Sequence, residues 1–227
     1  LIFLAELYMQ NLISNFKYQT MKTIKLFILF ILLTGFFSCE KTTDPPLSDI
    51  TSITISNLYA PQSGGQGQPI SGEFKKFDFA TGQQTGSYTD WDIAFRGTSI
   101  IVNGGVSLGT VDEPNRSGQA AAYIVDGTFE SVNDVNPNLL TQDSESGYAI
   151  ATGSDNGWYN YSGAPSYLIT PIPGKVLVFR TRDNFYAKVE ILSYYENAPS
   201  DPDSSVHSSR FYTFNYIYQP NAGVLSF

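Results

Sequence analysis

Few residues in this sequence are of the types that catalyse reactions or hold metals. His207 is the only histidine, and it lies in the polar segment 197-NAPSDPDSSVHSSR-210. A lone histidine among serines and aspartates is typical of a solvated loop residue, and we interpret His207 in that way. The paired aspartates of 201-DPDSS-205 lack the sixth-position glycine and the closing glutamate of an EF-hand. This favours a solvated acidic loop over a calcium site.

A second pair of carboxylates, Asp90 and Asp92, flanks Trp91 in the strand-like run 90-DWDIAF-95. Two carboxylates can hydrolyse a glycosidic bond when the fold sets their separation, so a carbohydrate-active enzyme is one hypothesis. A turn and a salt link to Arg96 explain the same residues without catalysis. With one histidine and one cysteine, a zinc or copper site is disfavoured as well. We therefore predict that the protein is not an enzyme and that it binds a ligand.

Export is indicated by the segment that begins at Met21, MKTIKLFILFILLTGFFSC. Lysines precede its apolar run, 26–33, which is shorter than the ~20 residues of a membrane-spanning helix. We interpret residues 21–38 as a lipoprotein signal peptide and Cys39 as the residue that takes the lipid, with a free thiol as the alternative. Residues 1–20 have no pattern of their own and are interpreted as over-read upstream sequence.

The charge of the chain excludes one class of partner. The 227 residues carry a net charge of −8, and removal of residues 1–38, with three lysines and one glutamate, leaves −10. An acidic surface repels phosphate backbones, so we predict no nucleic-acid partner. Membrane attachment is expected through the lipid on Cys39 instead. A single cysteine allows no disulfide within the chain, so the core must provide the stability.

The elements that must position a site are short runs of β-branched and aromatic residues, separated by turn residues. In 185–195, every second residue from Phe185 to Ser193 shares one face, and Lys188 and Tyr194 lie on the other. We predict an all-β fold, an antiparallel two-sheet, sandwich-like domain with long loops and little helix. It is a single domain over 51–227, after a tether at 39–50. The strand-like runs are 51–59, 73–80, 90–95, 99–103, 121–125, 176–180, 185–195 and 211–219.

Two connections are long for a compact domain, 61-PQSGGQGQPISG-72 and 197–210, and are therefore predicted to be functional or mobile. The first is rich in glycine but lacks a P-loop lysine, so phosphate binding is not expected there. Only 137-PNLLTQD-143 favours a helical turn or two. The two long loops are candidate contact surfaces for a partner.

Four segments of the sequence resemble one protein family. They are 90-DWDIAFRG-97, 157-GWYNYSG-163, 168-LITPIPGKVLVFRTRDNFYAKVEILSYYENAP-199 and 211-FYTFNYIYQP-220. Here the chain looks like the HmuY family, haem-binding outer-membrane lipoproteins of Bacteroidetes, over most of residues 50–220. The resemblance implies an all-β, two-sheet domain that holds haem near one end. The leader and Cys39 fit the same family.

The resemblance also implies where the haem is held. Family members hold the iron between histidines or methionines, and one ligand falls just before the I-T-P segment, which places Tyr167 at or next to it. The other position falls in 131–148, which contains neither residue type, so the usual axial pair is absent. Tyrosinate ligates ferric haem in some proteins, which makes Tyr167 the candidate iron ligand. An ordinary aromatic before a strand is the alternative. The candidate stacking residues are Trp158, Tyr159 and Tyr161.

Two functions follow from the resemblance and remain open at this point. In the first, the protein captures haem or iron-free porphyrin for haem and iron acquisition. Its candidate partners are host haemoproteins or an outer-membrane haem receptor, and its location is the outer membrane, on the cell surface or the periplasmic face. In the second, the fold serves as a surface interaction module that binds a protein or a glycan through the loops 61–72 and 197–210.

Overall fold

The computed structural model describes residues 2–34, 46–65 and 67–227, and the predicted lipidation site Cys39 lies outside them. Contacts divide the chain into two compact units, Leu1–Pro46 and Leu47–Phe227. The first unit contains the helix α1, Ile2–Thr34, which no glycine or proline interrupts. This helix includes residues 2–20 of the segment 1–20, for which the sequence showed no pattern. Among the described residues, no helix is both long and apolar enough to cross a membrane.

The second unit is built from strands, with one short 3₁₀ turn at Pro137–Leu139 inside the segment expected to be helical. Every pairing between the strands described is antiparallel. The strands are β1 Ser52–Tyr59, β2 Ser63–Gly65, β3 Gln68–Ser71, β4 Lys75–Asp78, β5 Gln83–Thr85, β6 Ile93–Arg96, β7 Ser99–Val102, β8 Ala121–Asp126, β9 Tyr159–Tyr161, β10 Ile169–Pro171, β11 Lys175–Arg180, β12 Tyr186–Tyr195 and β13 Ser209–Gln219.

Two larger sheets face each other across the main core. One has the strand order β1-β13-β12-β11-β8, and the other has the order β5-β4-β6-β7. Aromatic rings close the space between them: Phe77 lies edge-on to Phe214 with centroids 5.6 Å apart, and Phe79 lies 5.5 Å from Phe179. Ring pairs of this geometry add to the free energy of burial. The predicted all-β sandwich is confirmed, although two small hairpins, β2–β3 and β9–β10, stand beside the two sheets.

Strand β12 is covered on both of its faces. Ala187, Val189 and Ile191 enter the main core, as their alternation predicts. Lys188 points to the opposite face, where it is buried beneath Phe129 and Phe227. Its ammonium donates to the carbonyl oxygens of Phe129 (2.7 Å) and Val132 (2.8 Å). Because these carbonyls take the place of water, this cation is buried without a carboxylate bonded to it.

The predicted face of Tyr194 was wrong. Strict alternation placed Tyr194 beside Lys188, but the ring lies in the main core with Tyr195. The pairing of β12 with β13 shifts register between Ile191 and Ser193 and again between Ser193 and Tyr195. Such irregularities insert extra residues into one strand, so the side chains beyond them change faces.

The acidic pair at the start of β6 is structural. Asp92 is buried, and its carboxylate accepts from the backbone N–H of Phe79 (2.9 Å) and of Arg182 (3.0 Å). The Arg182 guanidinium lies 3.3 Å from the same carboxylate. The expected salt link to Arg96 was therefore wrong, because Asp92 ties the smaller sheet to the turn after β11. Burial raises the pKa of Asp92, and the two N–H donors and Arg182 oppose this shift.

Asp92→Ala is expected to destabilise the fold by about 3–5 kcal/mol, because two backbone N–H groups lose their acceptor and Arg182 loses one of its carboxylate partners. Asp90→Ala is the matched control, since Asp90 is exposed and bonds only to nearby Ser87 and Thr89. Its expected cost is about 1 kcal/mol or less. Urea unfolding of the three proteins measures both values, and equal losses for the two variants would contradict this account.

Lys188→Met is expected to change how stability depends on pH. Burial lowers the pKa of Lys188 below its usual 10.5, and the nearby Glu130 carboxylate only opposes this. As the pH rises toward 10.5, the unfolded chain binds more protons at this lysine than the folded chain does. The wild type should therefore gain free energy of unfolding relative to the variant between about pH 7 and 10.

The measurement is urea unfolding at several pH values, with Lys175→Met as the control. Lys175 is partly exposed and paired with Asp126 at 2.6 Å, so its variant should parallel the wild type. A Lys188→Met curve that also parallels the wild type would show that the buried ammonium does not titrate differently in the fold.

Candidate functional site

A cavity of about 710 Å³ opens at the end of the sandwich where β12 and β13 lose their register. Its size falls within the range of small-molecule sites, about 300–1,000 Å³. Aromatic and aliphatic side chains share its walls with hydroxyl and amide groups. The lining residues are Gln62, Gly64, Gly65, Thr98, Ser154, Tyr159, Tyr161, Ile169, Tyr194, Ser209 and Arg210.

The hairpin β9–β10 supplies one wall. Tyr161 pairs with Ile169 across it, and the Tyr161 N–H donates to the Ser154 hydroxyl at 2.8 Å. Side chains two residues apart on a strand share one face, so Tyr159 and Tyr161 both line the cavity. Tyr159 is buried at its base, whereas Tyr161 keeps 44% of its surface exposed. The hairpin therefore presents the Tyr161 ring to a ligand and holds Tyr159 as part of the floor.

Trp158 supports this floor from beneath. The residue is only 1% exposed, and its indole N–H donates to the Thr98 carbonyl oxygen at 3.0 Å. Its ring lies 5.0 Å from Tyr159 and 5.2 Å from Tyr212, centroid to centroid. Of the predicted stacking residues, Tyr159 and Tyr161 thus line the cavity, while Trp158 belongs to the core and orients them.

Tyr167 lies in the loop that closes the same hairpin, outside the residues that line the cavity. Its backbone has φ +49°, an unusual value for a residue with a side chain. Its N–H donates to the Gly163 carbonyl oxygen at 2.7 Å, and 56% of the residue is exposed. The neighbouring Ser166 carbonyl accepts from the Ser204 hydroxyl. The loop therefore presents the Tyr167 phenol to solvent at the hairpin tip.

Arg210 and Tyr194 complete the cavity and were not predicted. Arg210 is the second residue of β13 and has φ +74°, and its guanidinium donates to the Gln62 carbonyl oxygen at 2.5 Å. Tyr194 is buried at the floor, which raises the pKa of its phenol, and the nearby Arg210 opposes this rise. The sequence pointed to Gln62 and Arg210 only through the two long loops that it predicts to be functional or mobile. Gln62 lies in the loop 61–72, and Arg210 is the last residue of the loop 197–210.

The other residues considered for catalysis or metal binding form hydrogen bonds within their own loops. The His207 ring nitrogen Nδ1 accepts from the Asp203 N–H at 3.0 Å, within its own loop. The segment 105-GVSLG-109 fits the G-x-S-x-G pattern, but it follows β7 with no helix after it, and the Ser107 hydroxyl accepts from the Gly109 N–H at 3.1 Å. Within the described part of the chain, no three His, Cys, Asp or Glu residues come together to hold a metal ion.

The exposed lining of the cavity is more polar than apolar, and its apolar part can contact the flat face of a ligand. Tyr159, Tyr161 and Ile169 offer apolar surface, and Arg210 offers a positive charge. Near the cavity, phenols are the side chains that could reach an iron atom as donors. These features fit a porphyrin, and they fit a ferric iron only through a tyrosine oxygen.

Comparisons with known proteins identify a family that this chain matches. The family model described as HmuY protein matches residues 72–216. Among solved structures, the apo HmuY analogue of Tannerella forsythia is 14% identical with a TM-score of 0.47, and covers 78% of this chain and 100% of its own. A Bacteroides vulgatus protein assigned as HmuY-like and haem-binding is 15% identical with a TM-score of 0.43, covering 77% and 97%. None of the curated proteins matches this chain.

Proposed function

This chain belongs to the HmuY family, whose model matches more than half of its length, and on that premise we propose that it captures haem or iron-free porphyrin. HmuY proteins are a non-enzymatic family of haem-binding lipoproteins. The observation that carries the proposal for this chain is the 710 Å³ cavity with aromatic walls and one arginine. Capture of this kind would serve haem and iron acquisition.

The flat faces of the porphyrin would be buried against apolar side chains of the cavity. A porphyrin is a large flat aromatic molecule, and stacking on a tyrosine ring adds to the gain from removing its surface from water. Tyr161 is the exposed ring of the cavity wall, and Ile169 stands opposite it in the hairpin. Because Trp158 and Tyr212 pack beneath Tyr159, the floor keeps its shape without a ligand.

The iron of haem would take a tyrosine oxygen, and we propose Tyr167 for that role. The phenol is exposed at the tip of the hairpin that forms the cavity wall, so it can approach a ligand that extends beyond the wall. Tyr161 is the competing phenol, because it already lines the cavity. Bound haem would supply a ferric centre that accepts a phenolate, whereas iron-free porphyrin needs neither tyrosine oxygen.

Haemin titrated into the full-length chain is expected to bind saturably, one to one, with a high-spin ferric spectrum. Tyr167→Phe should abolish that spectrum and weaken haemin binding about tenfold or more, while iron-free protoporphyrin IX should bind both proteins alike. Tyr88→Phe is the matched control, since Tyr88 is 88% exposed and lies outside the cavity lining. Absorbance near the Soret band measures the haemin affinities, and porphyrin fluorescence measures the iron-free ones.

Other outcomes assign the site differently. Loss of the high-spin spectrum in Tyr161→Phe alone would move the iron to the cavity wall. Saturable binding of haemin to all three variants with one spectrum would contradict a tyrosinate ligand and leave stacking as the mode of binding. If neither haemin nor protoporphyrin IX binds, the proposed function fails, and the interaction-module hypothesis with a protein or glycan partner replaces it.

We also propose that Cys39 carries a lipid that anchors the domain to the outer membrane, where a haem receptor or a host haemoprotein would exchange ligand with it. The family is one of lipoproteins, and the sequence before Cys39 has the order of a lipoprotein signal.

Cys39→Ala is expected to release the protein from the detergent phase when cells are extracted and the phases are separated. Since Cys39 is the only cysteine, radiolabelled fatty acid or glycerol incorporated through a cysteine thiol reports on this residue alone. Cys39→Ala should abolish the label, and Ser38→Ala should retain it. A label that persists in Cys39→Ala would contradict lipidation at this site.

A further inference from the structure

We propose that Arg210 is a carboxylate-binding residue of the cavity and that it makes the cavity selective for ligands that carry carboxylate groups. The proposal rests on the proposed function, because it concerns the same cavity, and it names the part of the ligand that this residue recognises. Porphyrins of the haem type carry two propionate side chains at one edge, which are the groups that Arg210 would bind.

The charge that lines the cavity is opposite in sign to the net charge of the chain. Arg210 is the only charged residue among those that line it, and no aspartate or glutamate shares its walls. The chain as a whole has a net charge of −8. A cavity whose one lining charge is positive attracts an anionic group, although the surface around it repels anions at a distance.

The backbone holds Arg210 in place at some energetic cost. Its φ of +74° lies in the left-handed region that residues with side chains seldom adopt. The Arg210 carbonyl accepts from the Ala60 N–H at 2.8 Å, and the guanidinium donates to the Gln62 carbonyl oxygen at 2.5 Å. Strained residues of this kind cluster at binding sites, where the surrounding contacts fix the direction of a side chain.

The guanidinium keeps donors for a ligand. It has five N–H groups; one donates to the Gln62 carbonyl oxygen and another interacts with the Tyr194 phenol oxygen, which leaves donors for a ligand. Among the described residues, no carboxylate forms an ion pair with Arg210, whereas Arg116 pairs with Glu113 and Asp143. Arg182 is likewise paired, with Asp78 and Asp92. Arg210 thus faces this cavity without a carboxylate of its own.

Tyr194 supplies a second donor at the same place. Its phenol lies close enough to interact with the Arg210 side chain, and burial keeps the phenol protonated. A protonated phenol beside a guanidinium can donate to the same carboxylate, and hydrogen bonds between charged partners are among the strongest in proteins. Ser209 adds a hydroxyl to the same wall of the cavity.

The test compares iron-free protoporphyrin IX with its dimethyl ester, which has the same ring and no carboxylate, so iron ligation does not enter. The full-length wild type is expected to bind the diacid about tenfold or more tightly than the diester. Arg210→Gln should lower the diacid affinity to that of the diester and leave the diester unchanged. Arg180→Gln is the control, because Arg180 lies on β11, bonds to the Gln119 carbonyl oxygen and does not line the cavity.

The possible results distinguish a failure of the Arg210 proposal from a failure of the proposed function. Equal affinities for diacid and diester in the wild type would overturn the role of Arg210 while the proposed function stands, and this comparison needs no variant. A loss of both affinities in Arg210→Gln would mean a structural role and would also overturn it. Binding of neither probe to the wild type would overturn the role of Arg210, and it would overturn the proposed function as well only if haemin also fails to bind. Arg210→Lys, which keeps the charge, should retain part of the preference for the diacid.

Discussion

The contact of aromatic rings between the two larger sheets is the constraint on which the rest of the structure depends. Phe77 and Phe95 from the smaller sheet meet Phe214 of β13 at centroid distances of 5.6 and 5.8 Å. Asp92 reinforces this contact by joining the smaller sheet to Arg182 beyond β11. With no disulfide available, burial of these rings and one paired carboxylate hold the sheets face to face.

The cavity exists because this contact does not continue to the end of the sandwich. Where β12 and β13 shift register, Tyr194 turns into the main core and Tyr212 approaches Trp158 at 5.2 Å. These rings form a floor that is continuous with the core, and the hairpins β2–β3 and β9–β10 stand around it. A binding site built on packed rings is already shaped before the ligand arrives, so less ordering accompanies binding.

The sequence predicts the parts of this architecture that depend on local periodicity. All eight strand-like runs contain strands, and the alternation along β12 gives the correct core face from Ala187 to Ile191. The hairpin β2–β3, which occupies most of the loop 61–72, was missed because its strands consist largely of the glycine, serine and proline that are typical of turns. The face of Tyr194 depends on a bulge, and Arg210 meets Gln62 across 148 residues of chain. Neither the face of Tyr194 nor the contact between Arg210 and Gln62 can be predicted from a local sequence pattern.

The site divides recognition among chemically different groups, which explains how a chain without the expected histidines and methionines can keep a porphyrin-sized cavity. The free energy gained by burying the ligand against Tyr159, Tyr161 and Ile169 depends on the apolar area of the ligand and does not require a metal. The Arg210 guanidinium contributes to binding only when the ligand carries an anionic group at its edge. A phenol at the hairpin tip matters only when iron is present. Because the first two contributions do not require iron, loss of the usual axial ligands would change the binding of haem far more than that of its iron-free parent. The acidic surface repels small anions, so the single cavity arginine favours anions that also carry an apolar ring for burial against the tyrosines.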